Sequence, residues 1–592
     1  MAFLPFLYHT SGKYWEELIK LMGIKKIYDI IKLIPRSYRK SAIGVTFSVL
    51  LRSIFNFAGL AVLIPMFILL FNADKINSNT LLGKFRFWTN ITSETTFILM
   101  ICIVIICFIV SKNVINELLG SFQIKYVTSL YRYYSIKLFD NYYKRGLLFI
   151  KSTNTTALSH KINVVCYTLS QNVLSLSFTM LGEAMLLLFI WIGLALYSFK
   201  TALLTIFFLF PVIWLYYYMV RRELGKNGRA ENEVRRKQAR IVSETFKGYV
   251  EMEMNNAYSL FKKQFEEGLA KISYYRERTD RVLRIPNEMV ELGVVLIMVS
   301  LVLFSKGNNE IKVVFGVFAI AIMRMLPAVK TLMSGFAQLK NNAYAIDIVN
   351  EVIRFEAKEK MDSVSSNEPV DFKQSIVFDK VGFYFPDSAQ PAKPVIENFS
   401  LTVSKGERIG ICGISGIGKT TLFNLLLGFY TPQNGRIAID GKPLQGINLA
   451  NWRAIIGYVP QDVFMIDGTL AENIALGVNP ESIDRNRIID ALEQVSLKTL
   501  VDTLPDGIDT RIGENGSHLS GGQRQRVGIA RTLYKQVQVL LLDEATSSLD
   551  TMTENGITKT INELSLSNIK LTVLMISHRE SSLSFCDRIV KL

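Results

Sequence analysis

The 592-residue sequence predicts a two-part chain: an α-helical transmembrane domain of six spans with long helical extensions, followed by an α/β domain of alternating strands and helices. Three observations carry that prediction. Hydrophobic residues make up 49% of the chain and charged residues only 20%, too apolar a balance for a soluble protein of this length. The long apolar runs all lie before residue 358. Beyond residue 372 the pattern changes to short β-branched runs alternating with helical periodicity.

Charge divides along the same line. Residues 358–592 carry 24 Lys and Arg against 27 Asp and Glu, whereas the first 357 carry 43 against 24, so the net charge of +16 belongs to the greasy half. Basic residues bordering apolar runs fit a membrane protein with basic cytoplasmic ends, and no nucleic-acid partner is expected. The five cysteines, Cys102, Cys107, Cys166, Cys412 and Cys586, are scattered with no CxxC pair, which excludes a disulfide framework and a Cys-based zinc site.

Six stretches are long enough to cross a bilayer, near residues 42–71, 95–116, 172–197, 201–220, 284–305 and 312–334. Arg52 lies in the first, Glu183 in the third, Glu288 and Glu291 in the fifth and Arg324 in the sixth, so these helices are not uniformly lipid-facing. Segments 1–41, 112–171 and 221–284 hold 8, 8 and 16 basic residues, and the intervening loops 3, 1 and 1, which places both chain ends in the cytoplasm; the inner cell membrane is the expected location. Tyr14 to Ile34 reads as an amphipathic helix on the membrane surface, with Trp15, Leu18, Ile19 and Met22 on one face; a helix packed on protein is the alternative. The two long inner segments are nearly free of proline. They predict spans that continue as helical arms well beyond the bilayer. The expected division is an N-terminal cytoplasmic segment at 1–41, a transmembrane domain at 42–357, a polar linker at 358–372 and the α/β domain at 373–592.

In the α/β part, a strand-like run Arg408 to Cys412 leads into Gly413-Ile-Ser415-Gly416-Ile-Gly418-Lys419-Thr420 and then a helical stretch from Thr421. Glycines at these places let backbone N–H groups wrap phosphates, Lys419 reaches the outer phosphates, and the Thr420 hydroxyl suits Mg²⁺ at a helix N-terminus. Further on, Val539 to Glu544 is a buried-strand run ending in two acids. Asp543 beside such a loop suits Mg²⁺, and Glu544 is placed to orient or deprotonate an attacking water.

Between loop and acids lies Leu519-Ser520-Gly521-Gly522-Gln523, with Gln461 in Tyr-Val-Pro-Gln before it, and Ser548-Leu-Asp550 and His578 in Ile-Ser-His-Arg after it. In this order and spacing the set resembles the ATPase domain of ABC transporters over essentially all of 373–592. Six preceding spans resemble the exporter half-transporter. The resemblance implies ATP and Mg²⁺ as cofactors and assigns roles by position. Gln461 senses Mg²⁺ and the γ-phosphate. Ser520, Gly521, Gly522 and Gln523 cap the γ-phosphate held by the opposite subunit, Asp550 belongs to the loop crossing between subunits, and His578 contacts the γ-phosphate. Phe385, in Val381-Gly-Phe-Tyr-Phe385, aligns with the ring that stacks on adenine, with Tyr384 beside it. Glu514 resembles the loop that touches the cytoplasmic arms. Residues 144–156 and 246–256 are candidates for the short helices that plug into the ATPase domain.

The expectation is therefore an ATP hydrolase coupled to transport, an exporter or flippase working as a homodimer because Glu544, the signature and His578 are all intact. An ATP-gated channel or regulatory receptor on the same fold is the alternative from another class. The sixth span, Ala319 to Pro327, and the ATPase domain are similar to bacterial flippases of lipid-linked oligosaccharides, with a multidrug or general lipid exporter as runner-up. Arg52 and Arg324 are the candidate contacts for an amphipathic or lipid-linked cargo drawn from the membrane lipids; an ion pair of Arg324 with Glu288 or Glu291 is the competing reading.

Overall fold

The computed structural model describes residues 34–63, 88, 93–220, 224–303, 311–359, 372–385, 394–446, 449–545, 551–566, 571–578 and 580–592. The amphipathic segment expected at 14–34, most of the linker at 358–372, and Asp550 lie outside these residues. The chain divides into two compact units: one of Met1–Arg145 with Phe149–Met361, the other of Gly146–Leu148 with Asp362–Leu592.

The first unit is helical among its described residues. Its helices are α1 (Arg39–Ala61), α2 (Glu94–Lys144), α3 (Gly146–Ser152, whose residues are divided between the two units), α4 (Thr155–His160), α5 (Leu176–Tyr197), α6 (Phe199–Val220), α7 (Leu224–Lys247), α8 (Tyr249–Met254), α9 (Tyr258–Leu303), α10 (Ile311–Asn341) and α11 (Tyr344–Glu359). Among the described residues four stretches are long and apolar enough to cross a membrane: Arg36–Ala61, Thr95–Lys144, Thr155–Leu196 and Ala202–Val220. The fifth expected span lies in α9 as far as Leu303, its last two positions falling outside the described residues, and the sixth lies in α10.

Helix α2 runs for 51 residues, about 76 Å at 1.5 Å each, so it continues far past its apolar first half. Burial explains how so long a helix persists. Tyr126, Leu130, Tyr134 and Leu138, each four residues from the next, line one face and bury against Val165, Leu169 and Val173 and against Ala345 and Val349 of α11. Between α4 and α5 the chain stays helical but widens into π-helical turns at Lys161–Val165 and Thr168–Ser175. A short helix stands inside each of the two segments expected to carry one: α3 in 144–156 and α8 in 246–256.

The second unit contains two sheets. An antiparallel sheet has the order β2-β1-β4-β5, with β1 Ser375–Phe383, β2 Ile396–Ser404, β4 Asn434–Ile439 and β5 Lys442–Pro443. A parallel sheet has the order β6-β7-β8-β3-β9, with β3 Arg408–Cys412, β6 Ile456–Val459, β7 Val539–Asp543, β8 Thr572–Ile576 and β9 Arg588–Lys591. Strands β7 and β8 are buried at every position, as central strands covered on both faces must be, which is why they read as unbroken apolar runs. Helix α12 (Lys419–Leu426) starts directly after the glycine-rich loop, and α13 (Gly521–Lys535) is opened by the signature.

Candidate nucleotide site

The parallel sheet assembles this site by topology. In the register of the ladder Val459 pairs with Leu542, Asp543 with Ile576, and Ile411 with Ile576. The segments that follow β6, β7, β8 and β3 therefore leave the sheet side by side at its carboxyl edge, where ligands of open α/β sheets bind. Those segments carry Gln461, Glu544, His578 and the glycine-rich loop.

Glu544 is the meeting point. Its backbone N–H donates to the Ile576 carbonyl at 3.0 Å, and its φ of +53° turns the chain out of the strand into the left-handed region, which a non-glycine residue holds only under constraint. So aimed, its Oε2 accepts from Gln461 Nε2 at 2.9 Å and its Oε1 lies 2.6 Å from His578 Nε2. A carboxylate can only accept, so the imidazole presents its N–H there. Lys419 Nζ lies 3.4 Å from the same ring nitrogen.

The glycine-rich loop has the shape its sequence requires. Gly416 and Gly418 take φ of +82° and +108°, and a Cβ on Gly418 would stand 3.0 Å from the Val395 carbonyl oxygen. Lys419 is buried, its Nζ donating to the Gly413 and Ile414 carbonyls at 2.9 and 3.2 Å. Ser415 and Gly416 are exposed at the crest, and Thr421 is buried at the start of α12.

Asp543, at the end of β7, is buried beneath the loop and is hydrogen-bonded by the Thr420 hydroxyl and, at 3.3 Å, by the Tyr458 hydroxyl. Burial holds its carboxyl above the ordinary carboxylate value and the neighbouring Glu544 charge adds to this, while the two hydrogen bonds and Lys419 act the other way. The Tyr458 phenol is pushed up by its burial and by the same carboxylate. One hydroxyl and one buried carboxylate, both hard oxygen donors, fit a Mg²⁺ ion bound together with phosphate oxygens. Tyr458 is the residue that sequence reasoning missed. It lies three positions before Gln461, on the strand next to β7, so the register supplied the signal.

The signature forms a separate element. Ser520 caps α13, its Oγ accepting from Gln523 N–H at 3.2 Å while its own N–H donates to Gln523 Oε1 at 2.8 Å. Gly521 and Gly522 are the first helical residues behind it. The helix reaches the rest of the site through Gln525, whose Nε2 lies 3.5 Å from the Gln461 carbonyl. Phe385 is partly buried, its ring perpendicular to those of Phe383 and Tyr430 with centroids at 5.1 and 5.7 Å, whereas Tyr384 beside it is exposed.

In the first unit, Arg52 Nη1 donates to Gln123 Oε1 at 3.3 Å. Arg324 is half-buried on α10, and Glu288 and Glu291 are both exposed on α9 with no ion pair to it. The structure thus brings Gln461, Glu544, His578, Lys419, Thr420 and Asp543 into one cluster, while the signature, Phe385, Arg52 and Arg324 each stand apart from it.

The family described as ABC transporter matches residues 396–547, from β2 through the acids. A protein of Cupriavidus metallidurans named ATP-dependent lipid A-core flippase is 31% identical over 467 residues, 77% of this chain and 76% of that protein. ABC transporter B family member 6 of Dictyostelium discoideum is 37% identical over 268 residues, 44% of this chain and 39% of that one. A solved structure of a bacterial Atm1-family ABC exporter with ATP bound has the same fold, with a TM-score of 0.73 over 94% of both chains at 22% identity. With the sheet-edge cluster, the signature helix and apolar helices of spanning length on one chain, this protein belongs to the ABC transporter family and is a membrane protein whose ATP hydrolysis is coupled to transport.

Proposed function

We propose that two copies of this chain form a six-span-per-subunit flippase of the inner membrane, with the ATPase domains in the cytoplasm, that moves an anionic lipid-linked substrate out of the cytoplasmic leaflet. On the ATP side, the amides of Gly413, Ser415, Gly416 and Gly418 surround the phosphates, and Lys419 exchanges its two carbonyl partners for phosphate oxygens. Phe385 stacks on adenine, and Thr421 supports the first turn of α12. Thr420, Asp543 and Gln461 hold Mg²⁺, which neutralises phosphate charge when bound. Glu544 takes the proton of the attacking water, with Gln461 and His578 fixing the orientation of its carboxylate. Ser520, Gly521, Gly522, Gln523 and Asp550 complete the site of the partner subunit. That reading accounts for a signature whose own hydrogen bonds close on themselves at a separate helix start.

On the cargo side, the reading is supported by the relatives named lipid A-core flippases and carried by one observation. Arg52 and Arg324 lie in segments expected to span the membrane, and neither pairs with a described carboxylate, although an unpaired guanidinium there is costly. Lys112 lies within electrostatic reach of Arg324, so cations gather where an anion would offset their cost. The test is ATPase activity and headgroup translocation in nanodiscs, screened against lipid A, polyprenyl-pyrophosphate glycans, phosphatidylcholine and hydrophobic drugs. Stimulation confined to the phosphorylated lipids is expected. Stimulation by drugs or phosphatidylcholine alone would make the chain a general exporter.

A further inference from the structure

Arg52 on α1 packs its guanidinium against α2 beside Gly120. A Cβ there would stand 3.8 Å from the guanidinium carbon. The guanidinium has five N–H donors. Nη1 donates to Gln123 Oε1, and Nε is buried without any partner. Gln123 is itself almost fully buried, and its Nε2 donates to the Ser175 carbonyl at 3.3 Å, at the end of the second π-helical stretch.

That second bond fixes the first. A backbone carbonyl only accepts, so the amide must turn its NH₂ group to Ser175, and its oxygen is thereby committed to Arg52. We propose that Gln123 is a positioning residue for cargo recognition: anchored by Ser175, it holds the Arg52 guanidinium so that its unused donors take a phosphate-bearing lipid headgroup. The inference rests on the cargo reading above and adds a residue that touches no cargo itself. Gln123 is suited to this because a neutral amide orients a cation without cancelling its charge, whereas a carboxylate at the same place would compete with the ligand. Other polar contacts also join these helices. Ser53 Oγ donates to the Gly182 carbonyl at 2.8 Å, and Asn116 Nδ2 to Asn56 Oδ1 at 2.9 Å, one turn along from Arg52.

The full-length protein in phosphatidylcholine nanodiscs is titrated with lipid A, and the half-saturating concentration for ATPase stimulation is read separately from the maximal rate. Thermal melting is read alongside. Gln123→Leu is expected to raise half-saturation about tenfold with the maximal rate nearly kept, the loss of one hydrogen bond that orients a charged group. Gln123→Glu, which keeps the acceptor for Arg52 but turns toward the Ser175 carbonyl an oxygen that cannot donate, is expected to lose stimulation and to melt below the parent. Inorganic pyrophosphate at equal concentration is expected to leave the rate unchanged; stimulation by it would overturn the lipid headgroup as ligand. If Arg52→Ala loses stimulation but both Gln123 variants respond like the parent, the positioning role is wrong and the cargo reading survives. If Gln123→Leu lowers only the melting temperature or the maximal rate, Gln123 is structural and the inference fails. If Arg52→Ala responds like the parent, Arg52 does not meet cargo and the inference falls with it.

Discussion

Glu544 Oε1 and His578 Nε2 lie 2.6 Å apart although they follow different strands, because β7 and β8 run parallel in a register that pairs Asp543 with Ile576. The same carboxylate accepts from Gln461, so two residues far apart in sequence act on one group.

Replacing Glu544 with Gln preserves the side-chain shape and removes the base. ATP binding should persist while hydrolysis falls by about 10²–10⁴-fold, the range for a general base. Single-turnover ATP hydrolysis checks this, and near-normal turnover would remove Glu544 from the chemistry.

Subunits bearing Ser520→Arg mixed with subunits bearing Lys419→Ala test how the signature is shared. If each signature completes the partner's site, a mixed dimer has one doubly damaged site and one whole site. Nucleotide trapping should then occur at one site per dimer; equal damage at both would place the signature over its own loop.

Arg324→Ala separates cargo binding from an internal ion pair. Since Glu288 and Glu291 are exposed and unpaired with Arg324, the change strands no buried carboxylate, and the melting temperature should stay within about 1 °C for a surface-like ΔΔG. Stimulation by lipid A should be lost. A drop in melting temperature that Glu291→Arg with Arg324→Glu restores would instead establish the ion pair.

A stability test concerns the edge of the parallel sheet, where Asp587 accepts from the Arg408 backbone N–H at 3.0 Å and from its guanidinium Nε at 3.2 Å. The Arg408 hydrogen bond holds the Asp587 carboxyl below its ordinary value of 3.8. A depressed carboxylate contributes stability above its unfolded pKa and loses it as pH falls through the folded one. Asp587→Asn should therefore destabilise by less than about 1 kcal/mol at pH 7, the pair being partly exposed. Denaturant melts at falling pH should show the gap between parent and variant closing only below the ordinary carboxylate range.

Much of this was legible in the residues alone. Apolar runs of spanning length and basic flanks mark the membrane half, because a bilayer sets the length and composition of a helix that crosses it, whatever its neighbours. The glycine-rich loop and the signature cap are equally local, since positive φ and helix starts are properties of a few consecutive residues. What tertiary structure decided is adjacency. Tyr458 joins the site only because β6 lies beside β7, and Gln123 meets Arg52 only because α1 packs against α2. The absence of an ion pair between Arg324 and the two glutamates is a matter of helix rotation, which i,i+3 spacing on one helix leaves open. Local sequence fixes which groups a segment presents. The packing of distant segments fixes which of those groups meet, since that depends on buried surface shared by residues far apart in the chain.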